Sequence, residues 1–593
     1  MLRKESTNSI RRTLRASAAM LMMCSTVAHS DNDRHDHERV KTKTPIKHLV
    51  VFFQENNTFD HYFGTYPYAA NITGETSWNG IPAPKFYPRP GTPAVNGLTP
   101  GLLGNNPNMT LTGARANPQR LRPADAMTCS MNHAYGAEQK AVNGGLMDQF
   151  PQNTAALGEG CSADGSTVMD YYDGNTVTAM WNYAQHFAMS DSSFDSTYGP
   201  TFPGHLNVIS GNTYGGILHN ATSSGSLFPT PDGNFTVIAN IPAYLDDCGG
   251  TVNTNKAALE KTGKNVGDLL NEKGITWGWF AGGFAPTQPA TLNPDGSTNT
   301  PAVCGQTHTN HQFTLDGQTY VVPNPTINFT SDIHTPATDW WPAGINPFMF
   351  YPSTRNPHHL PPSSVAAVGA TDQANHQYDT NDFFAAVKAG NLPAVSFIKP
   401  PSYAWGHPGN SDPLVEQAWL VQSINAIMQS PEWESTAIIV AWDDPDGWYD
   451  HVVPPLLQAS NTKIDFKCGS GASVPGDQFA RCGLGQRQPL VMISPWAKEN
   501  YVDHTVTEQA SILAFIEKNW DLGYIDGPVA APAGTGSFDR RAGSIEGMFD
   551  FDHGPSMRRL ILDPITGTRV KHDNDADHDG DHAHGDHHDR HGG

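Results

Sequence analysis

The stretch 46-IKHLVVFFQEN-56 decides how the rest of the chain is read. Ile46 to Phe53 form an almost unbroken apolar run of β-branched and aromatic residues. A run of this length and kind, closed by polar residues, reads as a strand buried on both faces. It ends in Glu55 and Asn56. A second run, 436-TAIIVAW-442, ends in Asp443 and Asp444. The segments 392-LPAVSFI-398 and 488-QPLVMIS-494 read as further strands. Between strands, Leu420, Val421, Ile424, Ile427 and Met428 recur at helical spacing. Thr505 and Glu508 have the spacing of a capping box, ahead of a helix carrying Ile512, Phe515, Ile516 and Trp520. Strands alternating with helices predict an α/β fold, a sheet with helices on both faces.

Outward from that frame, composition sets the scale. The 593 residues are 38% hydrophobic and 16% charged, with 56 Gly and 46 Pro, which suits a large body with many long loops. Residues 70–125 and 212–345, rich in Pro, Gly and Asn, are expected to be loop-rich insertions that build the rim of a cleft. A net charge of −22 without any basic stripe excludes nucleic acid as a partner. An anionic substrate would need local cations or a bound metal ion to overcome that field.

The chain ends are of different material. Residues 1–30 read as a signal peptide: Arg11, Arg12 and Arg15 precede a short apolar stretch, and Ala28-His29-Ser30 offers small residues for cleavage. The stretch is too short for a stable membrane span. The expected location is secreted or periplasmic, and the paired Arg11-Arg12 points to the twin-arginine route. Residues 31–45 read as a flexible leader, 46–565 as the catalytic domain and 566–593 as a disordered tail. From His572 onward the tail holds seven histidines among Asp and Gly, a tract able to bind metal ions loosely. Removing the signal removes Cys24 and leaves Cys129, Cys161, Cys248, Cys304, Cys468 and Cys482. An even number in an exported chain predicts disulfides, with sequential pairing the simplest of the fifteen connectivities.

Chemistry gathers where buried strands end, the edge at which α/β sheets bind ligands. Glu55, Asn56, Asp443 and Asp444 would meet if their two strands are neighbours. Three carboxylates and an amide oxygen form a hard oxygen site for one divalent metal ion, and without a cation the three anions would repel one another. Either pair alone is better explained by capping or solvation; the two together point to a metal ion. Thr201 lies in 195-DSTYGPTFPGHL-206, where Pro203 suits the first turn of a helix. A hydroxyl at such a terminus faces a phosphoryl group, and a metal ion would activate it as a nucleophile. By itself the segment reads better as an ordinary helix cap. His133, His358, His359, His407 and His451 sit in polar, loop-like contexts; together they offer donors for phosphoryl oxygens and a proton for a leaving group.

These motifs resemble the secreted phosphoesterase family of bacterial phospholipases C, plant non-specific phospholipases C and bacterial acid phosphatases. The similar blocks occur in the family's order: QENNTFDHYFG (54–64), NHAYGAEQKAVNGGLMDQF (132–150), GPTFPGHL (199–206), NLPAVSFIKP with GHPGNSD (391–412), SPEWESTAIIVAWDDPDGWYDHVVPP (430–455) and SFDRRAGSIEGMFDF (537–551). The resemblance implies an alkaline-phosphatase-like sheet. It implies Glu55, Asn56, Asp443 and Asp444 as metal ligands and Thr201 as nucleophile, through a phospho-threonine that water hydrolyses. It also implies His133, His359 and His407 around the phosphoryl group, with His358 beside them.

The chain departs from the phospholipase C pattern at three places. Gly204-His205 stand for Asn-Arg, Gly406 for an acidic residue, and Asp443-Asp444-Pro445-Asp446-Gly447 for Asp-Glu-x-Gly-Gly. The paired aspartates resemble the acid phosphatase branch, so the expected substrate is a small phosphate monoester. A phospholipid cleaved by phospholipase C chemistry is the alternative. No Lys-rich amphipathic helix for a membrane surface is evident. A non-catalytic exported metal-binding protein, built around the tail, is the rival from another class. A sulfatase is disfavoured because no cysteine stands at the nucleophile position.

Overall fold

Leu49, Val51 and Phe53 face one side of a sheet, Val50 and Phe52 the other, and all five are fully buried. The computed structural model describes residues 41–570 apart from 78–80, 159, 306–309, 316–317, 324–338, 341–343, 461–467, 469–478 and 533. Residues 1–30, expected to be a signal peptide, and the His-rich part of the tail lie outside the described residues.

Nine strands form the central sheet. In chain order they are β1 His48–Gln54, β2 Ala188–Phe194, β3 Trp277–Ala281, β4 Gln377–Asp379, β5 Val395–Lys399, β6 Thr436–Trp442, β7 Arg487–Ile493, β8 Tyr501–Asp503 and β9 Thr507–Glu508. Their spatial order is β4-β3-β5-β1-β6-β7-β2-β8, with β9 also pairing β2. Every pairing is parallel except those of β7, which runs against both β6 and β2. Eight strands therefore end on the same edge.

Both faces are covered, as the doubly apolar strands require. On the Leu49 side lie α4 Thr201–Ser210, α5 Val266–Glu272 and α8 Gln509–Asn519, through Phe202, Leu206, Leu270, Ile512 and Ile516. On the Val50 side lie α3 Thr178–His186, α6 Thr380–Ala389 and α7 Pro413–Gln429, through Trp181, Phe383, Leu420 and Ile424. Two more helices are α1 Phe59–Phe63, which follows the end of β1, and α2 Tyr135–Val142. Each wholly buried aliphatic side chain contributes about 1.5–3 kcal/mol, so two packed faces make the sheet a rigid base.

The structure corrects three expectations. The strand expected from Leu392 begins at Val395. Residues 212–345 are not all loop: they contain α5 and the fully buried β3, whose WGWFA sequence is too short and Gly-interrupted to stand out. Thr505 does not cap α8. Thr507 and Glu508 pair with β2, so the helix starts later, with Glu508 as its cap in a box with Ser511. The cysteines pair sequentially, Cys129–Cys161, Cys248–Cys304 and Cys468–Cys482.

Candidate active site

Parallel pairing of β1 with β6, in register from His48↔Thr436 to Gln54↔Trp442, carries Glu55-Asn56 and Asp443-Asp444 off the same edge side by side. Asn56 takes a left-handed conformation (φ 64°), which asparagine tolerates better than most residues. Its N–H turns back to donate to Asp443 Oδ1 at 3.1 Å. From β2 the chain crosses a short loop and enters α4 at Thr201, whose hydroxyl donates to Glu55 Oε2 at 3.4 Å. Thr201 is the first residue of that helix, with Pro203 in its first turn. The Phe202 N–H is taken by Asn240 Oδ1 at 2.9 Å, which fixes the chain's entry angle.

Glu55, Asn56, Asp443 and Asp444 are completely buried, yet Asn56 Oδ1, Asp443 Oδ2 and Asp444 Oδ2 have no hydrogen-bond partner. Buried oxygens left this way are costly unless something else satisfies them. Burial first, and then the charge of Glu55, push the Asp443 carboxyl well above its usual range. Asp444 is pushed up to about 6 by burial, with His133 opposing and Glu55 adding to the rise. Orphaned hard oxygens and crowded anions are what a divalent cation relieves, so the residues present fit one.

Beside this group stands a second. His133, His407 and the fully buried Asp446 bring ligand-type atoms within 4.8 Å of one another. Asp446 accepts from Asn56 Nδ2 at 3.0 Å, from Ser130 Oγ at 3.0 Å and from the Met131 N–H at 2.8 Å. His133 Nδ1 lies 2.9 Å from Asp446 Oδ1. Burial opposes charging of His133, but Asp444 and Asp446 outweigh it and hold its pKa well above the ordinary value. The direction favours the charged, proton-carrying form of this imidazole. His407 Nδ1 is 2.6 Å from Pro408 O, which leaves Nε2 to accept from Asn56 Nδ2 at 3.1 Å.

His358 and His359 are placed differently. His359 Nε2 is paired with Asp246 at 2.8 Å, its Nδ1 lies 2.8 Å from Phe284 O, and its ring stacks on Phe284. His358 Nδ1 is 3.1 Å from Asp247. Among the described residues neither makes a hydrogen bond or ion pair with Thr201, Glu55 or the paired aspartates. His451 is bound to Asp60 at 2.6 Å, in a cluster with Asp450 and the buried Arg487 that ties α1 to β7.

Four residues of this neighbourhood escaped the sequence reading. Lys399 ends β5 with its Nζ 2.5 Å from Glu55 Oε1. It stands at a strand end as Glu55 and Asp443 do, a signal open to the same reasoning. His205, one turn into α4, lies 2.8 Å from Thr201 O and 3.5 Å from Asp443 Oδ2. Burial, and then the charge of Lys399, hold it well below the ordinary histidine pKa, so it is neutral. Glu138 of α2 accepts the Gly199 N–H at 3.0 Å, just ahead of Thr201. Asp446, the fourth, had only its sequence neighbours to suggest it.

The chain matches the model of the Phosphoesterase family over residues 46–523. This chain belongs to the Phosphoesterase family. It is 24% identical over 500 residues to a protein named non-hemolytic phospholipase C from Pseudomonas aeruginosa, covering 82% of this chain and 55% of that protein. It is 22% identical over 526 residues to phospholipase C B of Mycobacterium tuberculosis, covering 88% and 80%. It is also 22% identical over 498 residues to non-specific phospholipase C6 of Arabidopsis thaliana, covering 81% and 69%. The chain thus spans little more than half of the Pseudomonas relative.

The positions expected to depart from the phospholipase C pattern, Gly204, Gly406 and Asp446 among them, lie beside residues of this site. A Cβ on Gly204 would meet Asp443 O at 2.0 Å, so only glycine lets α4 come this close to the end of β6. A Cβ on Gly406 (φ 79°) would meet the Glu416 carboxyl at 2.5 Å. Glu416, reaching in from α7, puts its carboxyl against this position, and accepts from Tyr62 at 2.6 Å and Gln54 at 2.8 Å. Asp446 supplies the partner of His133 from a position where the pattern has glycine.

Proposed function

We propose that this phosphoesterase is an exported, metal-dependent phosphoric-ester hydrolase with Thr201 as nucleophile and a small phosphate monoester as substrate. The observation that carries the reading is the buried Thr201 hydroxyl at the start of a helix, hydrogen-bonded to Glu55 and close to three buried hard oxygens that accept no hydrogen bond. Glu55, Asn56, Asp443 and Asp444 would hold one divalent ion, which supplies charge for the phosphoryl oxygens and lowers the hydroxyl pKa.

The residues divide the chemistry between them. Thr201 Oγ1 gives its proton to Glu55 and attacks phosphorus; the Oγ1–P bond forms as the ester P–O bond breaks. The departing alkoxide takes a proton from the imidazolium of His133, which Asp446 orients. His133, now neutral, accepts a proton from the water that cleaves the phospho-threonine, and Thr201 regains its own. His407 orients the Asn56 amide, leaving its Oδ1 directed to the ion. Three disulfides support export. Among the described residues no helix is long and apolar enough to cross a membrane.

The neutral His205, and Asp446 with Gly406, in place of the phospholipase C residues, favour the monoester. The second reading, a phospholipase C acting on a phosphocholine diester, is favoured by the names of the relatives. Hydrolysis of a chromogenic monoester beside a phosphocholine diester, with and without chelator, separates the two. Monoester turnover abolished by the chelator supports the proposal; preference for the diester replaces it. Turnover untouched by the chelator would remove the metal from the mechanism.

A further inference from the structure

Lys399 is fully buried at the end of β5, the strand beside β1. Its Nζ lies 2.5 Å from Glu55 Oε1 and 3.8 Å from Asp443 Oδ2, and donates to Gln54 O at 3.4 Å. The rings of Phe53 and Trp405, with centroids 5.8 and 5.5 Å away, line the rest of its surroundings. A buried ammonium is costly unless carboxylates pair with it. Here the two carboxylates that hold the lysine also belong to the proposed metal cradle.

Resting on that cradle, we propose that Lys399 is a positioning residue that sets the charge of the metal site. Before an ion arrives, its ammonium keeps Glu55 and Asp443 together. Once a divalent ion is bound, two positive charges and the lysine balance the three carboxylates. Without Lys399 the loaded site would keep a net negative charge, drawing the metal in more strongly and repelling a phosphate anion. Lys399 thus weakens metal binding and strengthens phosphate binding. A lysine that served only the fold would, on removal, loosen the site and weaken both.

The test uses the full-length protein stripped of metal, with Mn2+ and inorganic phosphate as probes in calorimetry. Lys399→Met, which keeps the side chain's bulk, is expected to bind Mn2+ about tenfold more tightly or better. The Mn2+-loaded variant is expected to bind phosphate at least about tenfold more weakly than loaded wild type. Equal affinities, or a loss of both, would overturn the proposal. If the single variant does not fold, Lys399→Met is placed on a Glu55→Gln background, which removes the nearer of the two carboxylates paired with the lysine. The double variant should then bind Mn2+ more tightly than Glu55→Gln alone, and no tightening overturns the proposal. A wild type that binds no divalent ion would defeat the metal reading itself. Wild-type binding without a change in these variants defeats only the role of Lys399.

Discussion

Thr201 carries one methyl group and one hydroxyl at a buried helix start, and alanine in its place removes both. Thr201→Ala is expected to lower kcat by at least about a thousandfold while metal content and thermal stability stay near wild type. Activity within tenfold of wild type would take the nucleophile's role away from Thr201. Asp443→Asn combined with Asp444→Asn should act in the opposite way: the protein folds, but metal analysis finds the divalent ion gone. Unchanged stoichiometry would refute their assignment as ligands. At this scale the sequence was legible where a polar residue closes an apolar run, because burial up to Gln54 and Trp442 leaves the next residues at the strand ends. Lys399 offered the same signal at the end of a shorter run, and "SFIKP" reads naturally as a strand leaving the core. His359 shows the limit of composition: a histidine in a Pro-flanked loop is equally suited to a carboxylate partner. Asp246, more than a hundred residues away, is that partner.

Elements position the site by how closely they approach, and at Gly204 α4 lies directly against the end of β6. A Cβ there would meet Asp443 O at 2.0 Å and Gln509 Nε2 at 2.9 Å. Gln509 Nε2 itself donates to Asp443 O and to Asp195 Oδ1, so the side chain that would have to yield is part of the contact that fixes the aspartate. Gly204→Ala is therefore expected to destabilise the fold by about 1–3 kcal/mol and to displace Asp443, with activity falling further than the stability loss explains. Calorimetry beside kinetics at a temperature well below the melting point checks this; wild-type kcat/KM in the variant would show that α4 can withdraw without cost. The strand that delivers α4 was not legible. β2 reads AMSDSSF, which lacks both an apolar run and a clean alternation, yet most of it is buried between β7 and β8. Its polar groups are satisfied by tertiary partners that no local pattern announces: Asp191 accepts from the Asn96 N–H and pairs with His504. β1 and β6 were legible because their neighbours are as apolar as they are.

For the molecule as a whole, many acids are held in places that disfavour their charge. Burial pushes Asp170 up to about 8, Asp412 to about 7 and Glu416 to about 8. Glu517, beside Asp539, is pushed up to about 10 by burial and then by the charge of Asp539. Each has a folded pKa above its unfolded value of 3.8 or 4.5. Between those two values the folded state holds the extra proton, so stability falls as pH rises. Buried neutral histidines oppose this below their unfolded value of 6.5: His61 is held down at about 3 and His186 at about 4, by burial in both cases. Above 6.5 these two are neutral in folded and unfolded chains alike and contribute nothing further, while the acids continue to lose protons. The melting temperature is therefore expected to decline steadily from pH 6.5 to pH 10, the net charge of −22 adding self-repulsion in the same direction. Glu517→Gln keeps the shape of the protonated acid and removes its titration. It should raise the melting temperature by a few degrees at pH 9, change it little near pH 4.5, and leave the proposed metal site untouched, because among the described residues no hydrogen bond or ion pair joins Glu517 to a proposed ligand. Scanning calorimetry of both proteins across this range decides the matter: an equal slope in wild type and variant would mean that Glu517 is already ionised in the folded protein, with a partner other than a proton satisfying its oxygens.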